Sequence, residues 1–302
     1  MKKNWVLCID IGGTKIHYGL VNIKGQILNT NRAITETKTE SAFLEQLKEI
    51  IKESYSPKVS AISVSFAGPV DPFSGVILKA PHFPSFRKSL PLKKIMSSWV
   101  KIPVFVEHDG FCFTLGESVF GEAKNYRYVV GLTLGTGVGS GIVLNKKIYR
   151  GGSFGVELGH MKINENGPVC SCHKTGHLES YVSGKAMVKF YKGLTGLNKN
   201  SFEIARLAKQ GDKRAKKSVA TMGKYLGLGL ANLANILNPE IIVIGGGLSR
   251  VKMLFPPALQ TMKNEAIYSN FQKIKVVRSK MPDQALLLGA ALITQKKYRS
   301  EI

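Results

Sequence analysis

The sequence lacks the long apolar segments of membrane and exported proteins. No apolar run approaches the roughly 18 residues that a membrane-spanning helix needs. The apolar stretch from Trp5 to Ile11 contains Asp10 and stops at Gly12-Gly13, so it is too short and too polar for a secretory signal. We therefore expect a cytoplasmic protein. Its 302 residues, 44% hydrophobic and 21% charged, suit two globular domains of about 150 residues each.

Cysteine is scarce as well, which excludes a disulfide-stapled scaffold in a chain of this length. Two of the four cysteines, Cys170 and Cys172, form a Cys-x-Cys pair close to His173 and His177. In a reducing compartment this pattern indicates a metal site. The other two, Cys8 and Cys112, stand alone.

Acidic residues are few: 20 Asp and Glu stand against 43 Lys and Arg, for a net charge of +23. Such an excess suits an anionic partner, which could be a nucleic acid or a small substrate such as a nucleotide. The basic residues are spread along the chain and are mostly lysine, whereas arginine is the usual reader of bases. The pattern favours a solvated basic surface over a nucleic-acid site, and we expect neither nucleic-acid nor membrane partners.

The order of predicted elements is that of an α/β protein whose second half restarts like its first. The first half, up to Val106, has the order βββαβαβ, and the second restarts with a strand at Tyr128–Leu134. Apolar spacing predicts helices at Ser41–Ser54 with Ser41 as N-cap, Leu92–Val100, Phe111–Glu117, Ser183–Tyr191, Ser201–Gln210, Asp212–Leu237, Val251–Ser269 and Gln284–Gln295.

Each half contains a strand, a glycine-rich turn and a returning strand. The two turns are Asp10-Ile-Gly-Gly-Thr-Lys15 and Thr133-Leu-Gly-Thr-Gly-Val-Gly139. Glycine lets backbone N–H groups approach an anion closely, which is how a phosphate is cradled. Two such turns in equivalent places predict an actin-like ATPase (ribonuclease H-like) fold, with two lobes and an interlobe cleft.

The sequence resembles the ROK family (repressors, open reading frames and sugar kinases). The resemblance covers nearly the whole chain, and its motifs occur in the family's order. They are Asp10–Lys15, Ala67-Gly-Pro-Val-Asp71, Leu134-Gly-Thr-Gly-Val-Gly139, Glu157-Leu-Gly-His160, Cys170-Ser-Cys172 with Gly176 and Glu179, and Ile244-Gly-Gly-Gly247.

The resemblance implies an ATP-dependent kinase that phosphorylates a hexose at its 6-hydroxyl, as a glucokinase does. The family's repressors carry an N-terminal helix-turn-helix domain, for which residues 1–9 leave no room, so the kinase branch matches better. An N-acetylhexosamine kinase (for N-acetylglucosamine or N-acetylmannosamine) is the alternative, and a non-catalytic sugar-binding regulator is a third reading. The resemblance also implies a homodimer, an N-terminal lobe of residues 1–108 completed by the helix at about 284–302, and a C-terminal lobe of residues 109–283 with a zinc-binding loop.

The family places its catalytic base at the position of Asp109, although the same residue could instead cap the following helix. Asp10 is expected to hold Mg²⁺ through water, as a carboxylate beside a phosphate turn does. The expected ATP contacts are Gly12, Gly13, Thr14, Lys15, Thr133, Gly135, Thr136, Gly137, Gly246 and Gly247. For the triple glycine that ends in Gly247, close packing alone is the competing explanation.

The resemblance assigns the sugar to Gly68, His108, Asp109, Glu157, His160 and Glu179. Carboxylates and imidazoles can bind vicinal hydroxyls, which apolar side chains cannot do. His108 stands where the family usually has an asparagine that bonds a sugar hydroxyl, and Phe111 replaces another common asparagine. These two departures leave the identity of the sugar open.

The family's zinc cluster takes one histidine and three cysteines. The matching positions here are His160, Cys170, Cys172 and His177, the last in place of a cysteine. Because histidine is a good zinc ligand, this set predicts a closed, structural Zn²⁺ site. His173 could replace or compete with His177, and an empty site with two free thiols is the competing explanation.

Overall fold

The computed structural model describes residues 4–78, 83, 88–152, 155–267 and 271–298. The strands are β1 (Trp5–Ile11), β2 (Lys15–Asn22), β3 (Ile27–Ile34), β4 (Val59–Phe66), β5 (Val70–Asp71), β6 (Val76–Ile77), β7 (Val104–His108), β8 (Tyr128–Leu134), β9 (Val138–Leu144), β10 (Lys147–Ile148), β11 (Ile241–Gly245) and β12 (Lys275–Arg278). The helices are α1 (Glu40–Ser54), α2 (Leu92–Ser97), α3 (Asp109–Phe120), α4 (Gly184–Thr195), α5 (Ser201–Lys209), α6 (Lys213–Leu237), α7 (Phe255–Glu265) and α8 (Pro282–Ile293).

The first sheet has the strand order β3-β2-β1-β4-β7. Strand β2 runs antiparallel to β1, whereas β4 runs parallel to both β1 and β7. In this register Asp10 lies opposite Ser65, and Ser65 lies opposite Glu107. The residues that follow β1, β4 and β7 therefore leave the sheet at the same edge, where parallel α/β sheets place their ligands.

Two predicted helix starts shift for local chemical reasons. Helix α1 starts at Glu40 because the Thr39 hydroxyl, rather than that of Ser41, accepts the capping bond, from the Ala42 N–H at 3.1 Å. Helix α7 starts only at Phe255, because its two prolines suit the first turn of a helix and not its interior. The predicted Pro-rich loop contains the short antiparallel hairpin of β5 and β6.

The chain divides into two compact units. The first comprises Met1–Arg127, Gly141–Val156 and Lys280–Ile302, and the second comprises Tyr128–Ser140 and Glu157–Ser279. This division places α3 in the first unit, whereas the predicted division after residue 108 placed it in the second. The reason is that α3 packs directly on α8.

Two glycines allow that close packing of α3 on α8. A Cβ at Gly289 would collide with the backbone of Cys112, and a Cβ at Gly116 would collide with the carbonyl of Ala285. Both helices are therefore fixed against each other by their backbones. Strand β1 packs on α8 in the same unit.

The second sheet has the order β10-β9-β8-β11-β12, and the chain passes from one unit to the other within β9. In the second unit β11 runs parallel to β8 and β12, with Gly245 opposite Thr133. Helix α6 packs on α7, α4 and α5. Its buried face includes Val219, Met222 and Leu226. Across the described ranges, no helix is both long and apolar enough to cross a bilayer.

Candidate functional site

Asp10 lies half-buried near the end of β1. Its Oδ1 accepts a hydrogen bond from the Ser65 hydroxyl at 2.8 Å. Burial raises the pKa of Asp10 to about 7; the Ser65 hydroxyl opposes that rise, and the negative charges of Asp109 and Asp283 add to it. A cation would relieve this accumulation of carboxylates, so the donor set fits the predicted Mg²⁺ position.

The turn after β1 is held from outside by Thr35. The Gly12 N–H donates to the Lys15 carbonyl at 3.0 Å, which closes the turn. The Thr35 hydroxyl donates to the Gly12 carbonyl at 2.7 Å, and the Thr35 N–H donates to the Thr14 carbonyl at 3.1 Å. With its carbonyls engaged in this way, the turn has a fixed shape, as a phosphate loop needs.

Gly68 and Asp109 leave the same sheet edge from β4 and β7. Asp109 is the first residue of α3, and the N-cap is His108, whose Nδ1 accepts from the Gly110 N–H at 3.2 Å. The competing explanation of Asp109 as the N-cap is therefore wrong by one residue. The Asp109 carboxylate stays half-exposed at the start of the helix, with 18% of its side chain accessible.

A buried ion pair that the sequence reasoning missed lies near the end of β7, two residues before Asp109. Both guanidinium ends of Arg150 donate to the Glu107 carboxylate, one of them at 2.8 Å, and the two side chains are 4% and 1% exposed. Glu107 also accepts the His108 N–H at 2.9 Å. The single signal in the sequence was an acid at the buried end of a strand, and nothing there pointed to its partner 43 residues away.

In the second unit the predicted nucleotide segments are brought together. Gly246 has a φ of +77°, and a Cβ there would collide with the Leu134 backbone at the start of the glycine turn. A Cβ at Gly135 or at Gly247 would meet no described protein atom within 4 Å. Packing therefore explains Gly246, whereas the space beside Gly135 and Gly247 is open. Thr133 and Gly137 flank Gly135, and Thr136 is exposed.

Glu157 and His160 stand on either side of one short 3₁₀ turn. The His160 N–H donates to the Glu157 carbonyl at 2.9 Å. The Leu158 N–H donates to the Ser140 hydroxyl at 2.9 Å, which ties this turn to the first half of β9. The turn thus presents an exposed carboxylate and an imidazole in a defined arrangement.

Four side chains form a metal-compatible cluster: His160, Cys170, Cys172 and His177, whose donor atoms all lie within 4.8 Å of one another. The two Nδ1 atoms are 3.3 Å apart, His160 Nδ1 and Cys170 Sγ are 3.6 Å apart, and Cys172 Sγ and His177 Nδ1 are 3.2 Å apart. Tetrahedral Zn²⁺ bonds of 2.0–2.3 Å separate neighbouring donors by roughly 3.3–3.8 Å. The set fits zinc, and it contains His177 rather than His173.

Glu179 borders this cluster. Its carboxylate accepts the Val138 N–H at 3.0 Å, the Ser171 hydroxyl, and the Cys170 thiol at 3.6 Å. Burial alone would raise its pKa, but these hydrogen bonds and the nearby His160 hold the pKa below its usual value. Both oxygens already have partners inside the second unit, while the prediction assigned Glu179 to a sugar hydroxyl.

Comparison with known proteins decides the family. The family model described as "ROK family" matches residues 6–297. The chain belongs to the ROK family. Its fold is the actin-like ATPase fold of the ROK sugar kinases. The predicted family and the predicted fold are thereby confirmed.

Two ROK relatives and one ROK structure illustrate the similarity. A glucokinase of Thermotoga maritima is 31% identical over 98% of this chain and 99% of its own. An N-acetyl-D-glucosamine kinase of Vibrio atlanticus is 30% identical over 95% of this chain and 98% of its own. A ROK family glucokinase from Streptomyces griseus, solved in complex with glucose and AMPPNP, superposes with a TM-score of 0.85 at 30% identity, over 95% of this chain and 98% of that one.

Proposed function

We propose that this protein transfers the γ-phosphoryl group of ATP to the 6-hydroxyl of a hexose, as a glucokinase does. The glucokinase of Thermotoga maritima, the N-acetyl-D-glucosamine kinase of Vibrio atlanticus and the glucokinase structure from Streptomyces griseus are all sugar kinases. The observation that carries the proposal is the placement of Asp10 and Asp109 at the carboxyl edge of one sheet, after strands in fixed register. Such an edge presents carboxylates to a cation and to a substrate hydroxyl.

Asp109 is the proposed catalytic base. As the sugar oxygen forms its bond to the γ-phosphorus, the bond from phosphorus to the β,γ-bridging oxygen breaks and ADP leaves. The hydroxyl proton passes to the Asp109 carboxylate. Positioning and charge stabilisation account for most of the rate enhancement in phosphoryl transfer, and a general base contributes within that frame.

Asp10 would hold Mg²⁺ through water, and the bound ion would neutralise charge on the phosphates. In the first unit the Thr35-braced turn would donate backbone N–H groups to the phosphates, with Lys15 at its end. In the second unit, the turn around Gly135 and the open space beside Gly247 would bind the remainder of the ATP molecule. The full proposed set is Gly12, Gly13, Thr14, Lys15, Thr133, Gly135, Thr136, Gly137, Gly246 and Gly247.

The proposed sugar contacts are Gly68 and Asp109 in the first unit and Glu157, His160 and Glu179 in the second. Since Nδ1 of His160 faces the cysteine–histidine cluster, Nε2 is the atom that would meet a hydroxyl. Glu179 can still accept a further bond, because each carboxylate oxygen has two lone-pair sites.

We also propose that the cluster holds one structural Zn²⁺, bound by His160, Cys170, Cys172 and His177. Four protein ligands leave no open position, so the ion would supply stability and orient His160 rather than take part in the reaction. The free cysteines of the described chain suit a reducing cytoplasm. A homodimer is the proposed assembly, which light scattering would test.

The first experiment is ADP release from MgATP with glucose, mannose, fructose, N-acetylglucosamine and N-acetylmannosamine. Asp109→Asn is the test variant, and Asp212→Asn is the matched control, because asparagine caps α6 as well as Asp212 does. We expect one preferred hexose, a loss of roughly 10³-fold in kcat for Asp109→Asn, and unchanged turnover in the control.

Other outcomes redirect the assignment. A preference for N-acetylglucosamine or N-acetylmannosamine would establish the alternative kinase. Unchanged turnover in Asp109→Asn would remove that residue from the role of base. Sugar binding without ADP release for any sugar would favour a regulator over an enzyme.

A further inference from the structure

We propose that His108 does not bind the sugar but orients the catalytic carboxylate. Its Nε2 lies near Oδ1 of Asp109, and this arrangement would leave Oδ2 for the substrate hydroxyl. His108 is thus a positioning residue that acts through Asp109. The inference rests on the proposed kinase function, and it changes the role that the family resemblance gave to residue 108.

One hydrogen bond of the imidazole assigns its tautomer. His108 Nδ1 accepts the Gly110 N–H at 3.2 Å, so Nδ1 carries a lone pair and no proton. In the neutral ring the proton is then on Nε2. Nε2 lies 3.4 Å from Oδ1 of Asp109. Nδ1 therefore caps α3, and Nε2 lies next to the carboxylate of Asp109, the first residue of that helix.

The two oxygens of Asp109 differ as a result. Oδ1 accepts the Gly110 N–H at 2.7 Å and lies next to His108 Nε2. For Oδ2, no hydrogen bond from any described residue occurs. A carboxylate fixed through one oxygen presents the other in a single direction, and a base must be aimed at the proton that it abstracts.

Behind the imidazole, a packed set of side chains holds its plane. The Phe111 ring meets the His108 ring edge-on, with centroids 5.9 Å apart. The guanidinium of Arg150 lies 5.3 Å from the Phe111 ring centroid, and Arg150 is itself fixed by the buried Glu107 carboxylate. Glu107 also accepts the His108 N–H. The backbone and the ring of His108 are therefore both anchored.

Burial argues against a sugar ligand at this position. The His108 side chain is 7% exposed, against 18% for Asp109. Both of its ring nitrogens face protein groups of the same helix start. A ligand hydroxyl could reach the imidazole only by displacing the Gly110 N–H or the Asp109 carboxylate.

Two substitutions separate the two functions of the ring. His108→Ser keeps a good N-cap but has no donor that reaches Asp109, and serine is too short to replace a sugar ligand. His108→Gln places an amide N–H near the position of Nε2 but caps poorly. We expect His108→Ser to melt somewhat below wild type, because removal of the buried ring leaves a cavity, and to lose about tenfold or more in kcat with an unchanged KM for the preferred sugar. His108→Gln should melt lower yet recover part of the kcat.

The opposite pattern overturns the inference. A raised sugar KM with unchanged kcat in His108→Ser would make His108 a sugar ligand. Equal kcat losses in both variants, in step with their melting temperatures, would make it a structural cap only. The kinase proposal is tested separately, by ADP release from the wild type. The variant experiments measure kcat and KM only relative to wild type, so failure of one proposal can be told from failure of the other.

A measurement without turnover tests the same geometry. In ¹⁵N-histidine-labelled protein, with His108→Ser to identify the signal, we expect a proton on Nε2 and a lone pair on Nδ1. A proton on Nδ1 would overturn the assignment even if no sugar were phosphorylated.

Discussion

The two sheets begin alike, but their candidate functional side chains are held in different ways. In the first unit the carboxylates of Asp10 and Asp109 stand at the ends of β1 and β7, and hydrogen bonds from Ser65 and Gly110 fix them. In the second unit the thiols and imidazoles of the cysteine–histidine cluster stand on irregular chain outside the sheet. Strand register positions the first set, whereas isolated bridges and turns position the second, such as those that pair Lys162 with His177 and Val169 with Thr175.

The two sites therefore depend on different interactions to keep their geometry. The strand-end carboxylates keep their geometry through backbone pairing, although close negative charges oppose them. The cluster brings the Nδ1 atoms of His160 and His177 within 3.3 Å of each other, and without a shared cation one of them must donate to the other. The proposed Zn²⁺ would thus be part of the architecture in the second unit, whereas the proposed Mg²⁺ would be a ligand in the first.

The largest effect is expected from removing the metal. Purified wild type should contain one Zn²⁺ per chain, and Cys172→Ser should contain none and melt at a lower temperature, because a tetrahedral site with three ligands binds weakly. The matched control is His173→Asn, whose neighbouring side chain lies outside the cluster and whose backbone φ of 67° suits asparagine. Metal analysis and calorimetry check both.

Two results would contradict this comparison. A wild-type protein without zinc, even after refolding with Zn²⁺, would show that the cluster is a set of free thiols and imidazoles. Loss of zinc in His173→Asn would transfer the fourth ligand from His177 to His173.

A smaller effect is expected from the buried ion pair in the first unit. Arg150→Met leaves the Glu107 carboxylate buried without its partner, which should lower the free energy of unfolding by about 3–5 kcal/mol. The control is Arg32→Met, because the Arg32–Asp283 pair is 57% and 43% exposed and such pairs contribute about 1 kcal/mol or less. Urea unfolding followed by fluorescence reports on this unit, since Trp5 and Trp99 both lie in it.

Equal losses in the two arginine variants would mean that Glu107 finds another partner or takes up a proton. The double variant Glu107→Gln with Arg150→Met sharpens the result. It should be more stable than Arg150→Met alone, because the uncompensated charge is gone.

Much of the first region was accessible from the sequence because its information is local. Glycine turns between apolar strands predicted the positions of Asp10 and Gly12, and the fixed register of parallel strands brought Asp109 to the same edge. The cluster was predicted by family resemblance, and its geometry selected His177, since His173 instead occupies a turn in which its N–H bonds the Cys170 carbonyl.

What the sequence did not reveal depends on distant partners. Glu107 and Arg150 are 43 residues apart, and neither position shows a pattern that would pair them. The start of α3 was predicted at Phe111 because the apolar spacing begins there. The helix in fact begins at Asp109, because the imidazole of His108 supplies an N-cap that standard capping preferences do not include.

The smallest expected effect concerns the hydroxyl that holds Asp10. Ser65→Ala removes a hydrogen bond to a carboxylate, and the loss should weaken MgATP binding by roughly fivefold with little change in kcat at saturating Mg²⁺. The same strand supplies the control: the buried hydroxyl of Ser63 has no hydrogen-bond partner in the described structure. Ser63→Ala should therefore bind MgATP as wild type does, and its stability should be unchanged or slightly higher. If titrations of turnover against Mg²⁺ shift equally in both variants, the effect comes from packing in β4. If only Ser65→Ala shifts, strand register positions Asp10 through a single hydroxyl, in contrast to the cluster of the second unit, for which a Zn²⁺ ion is proposed.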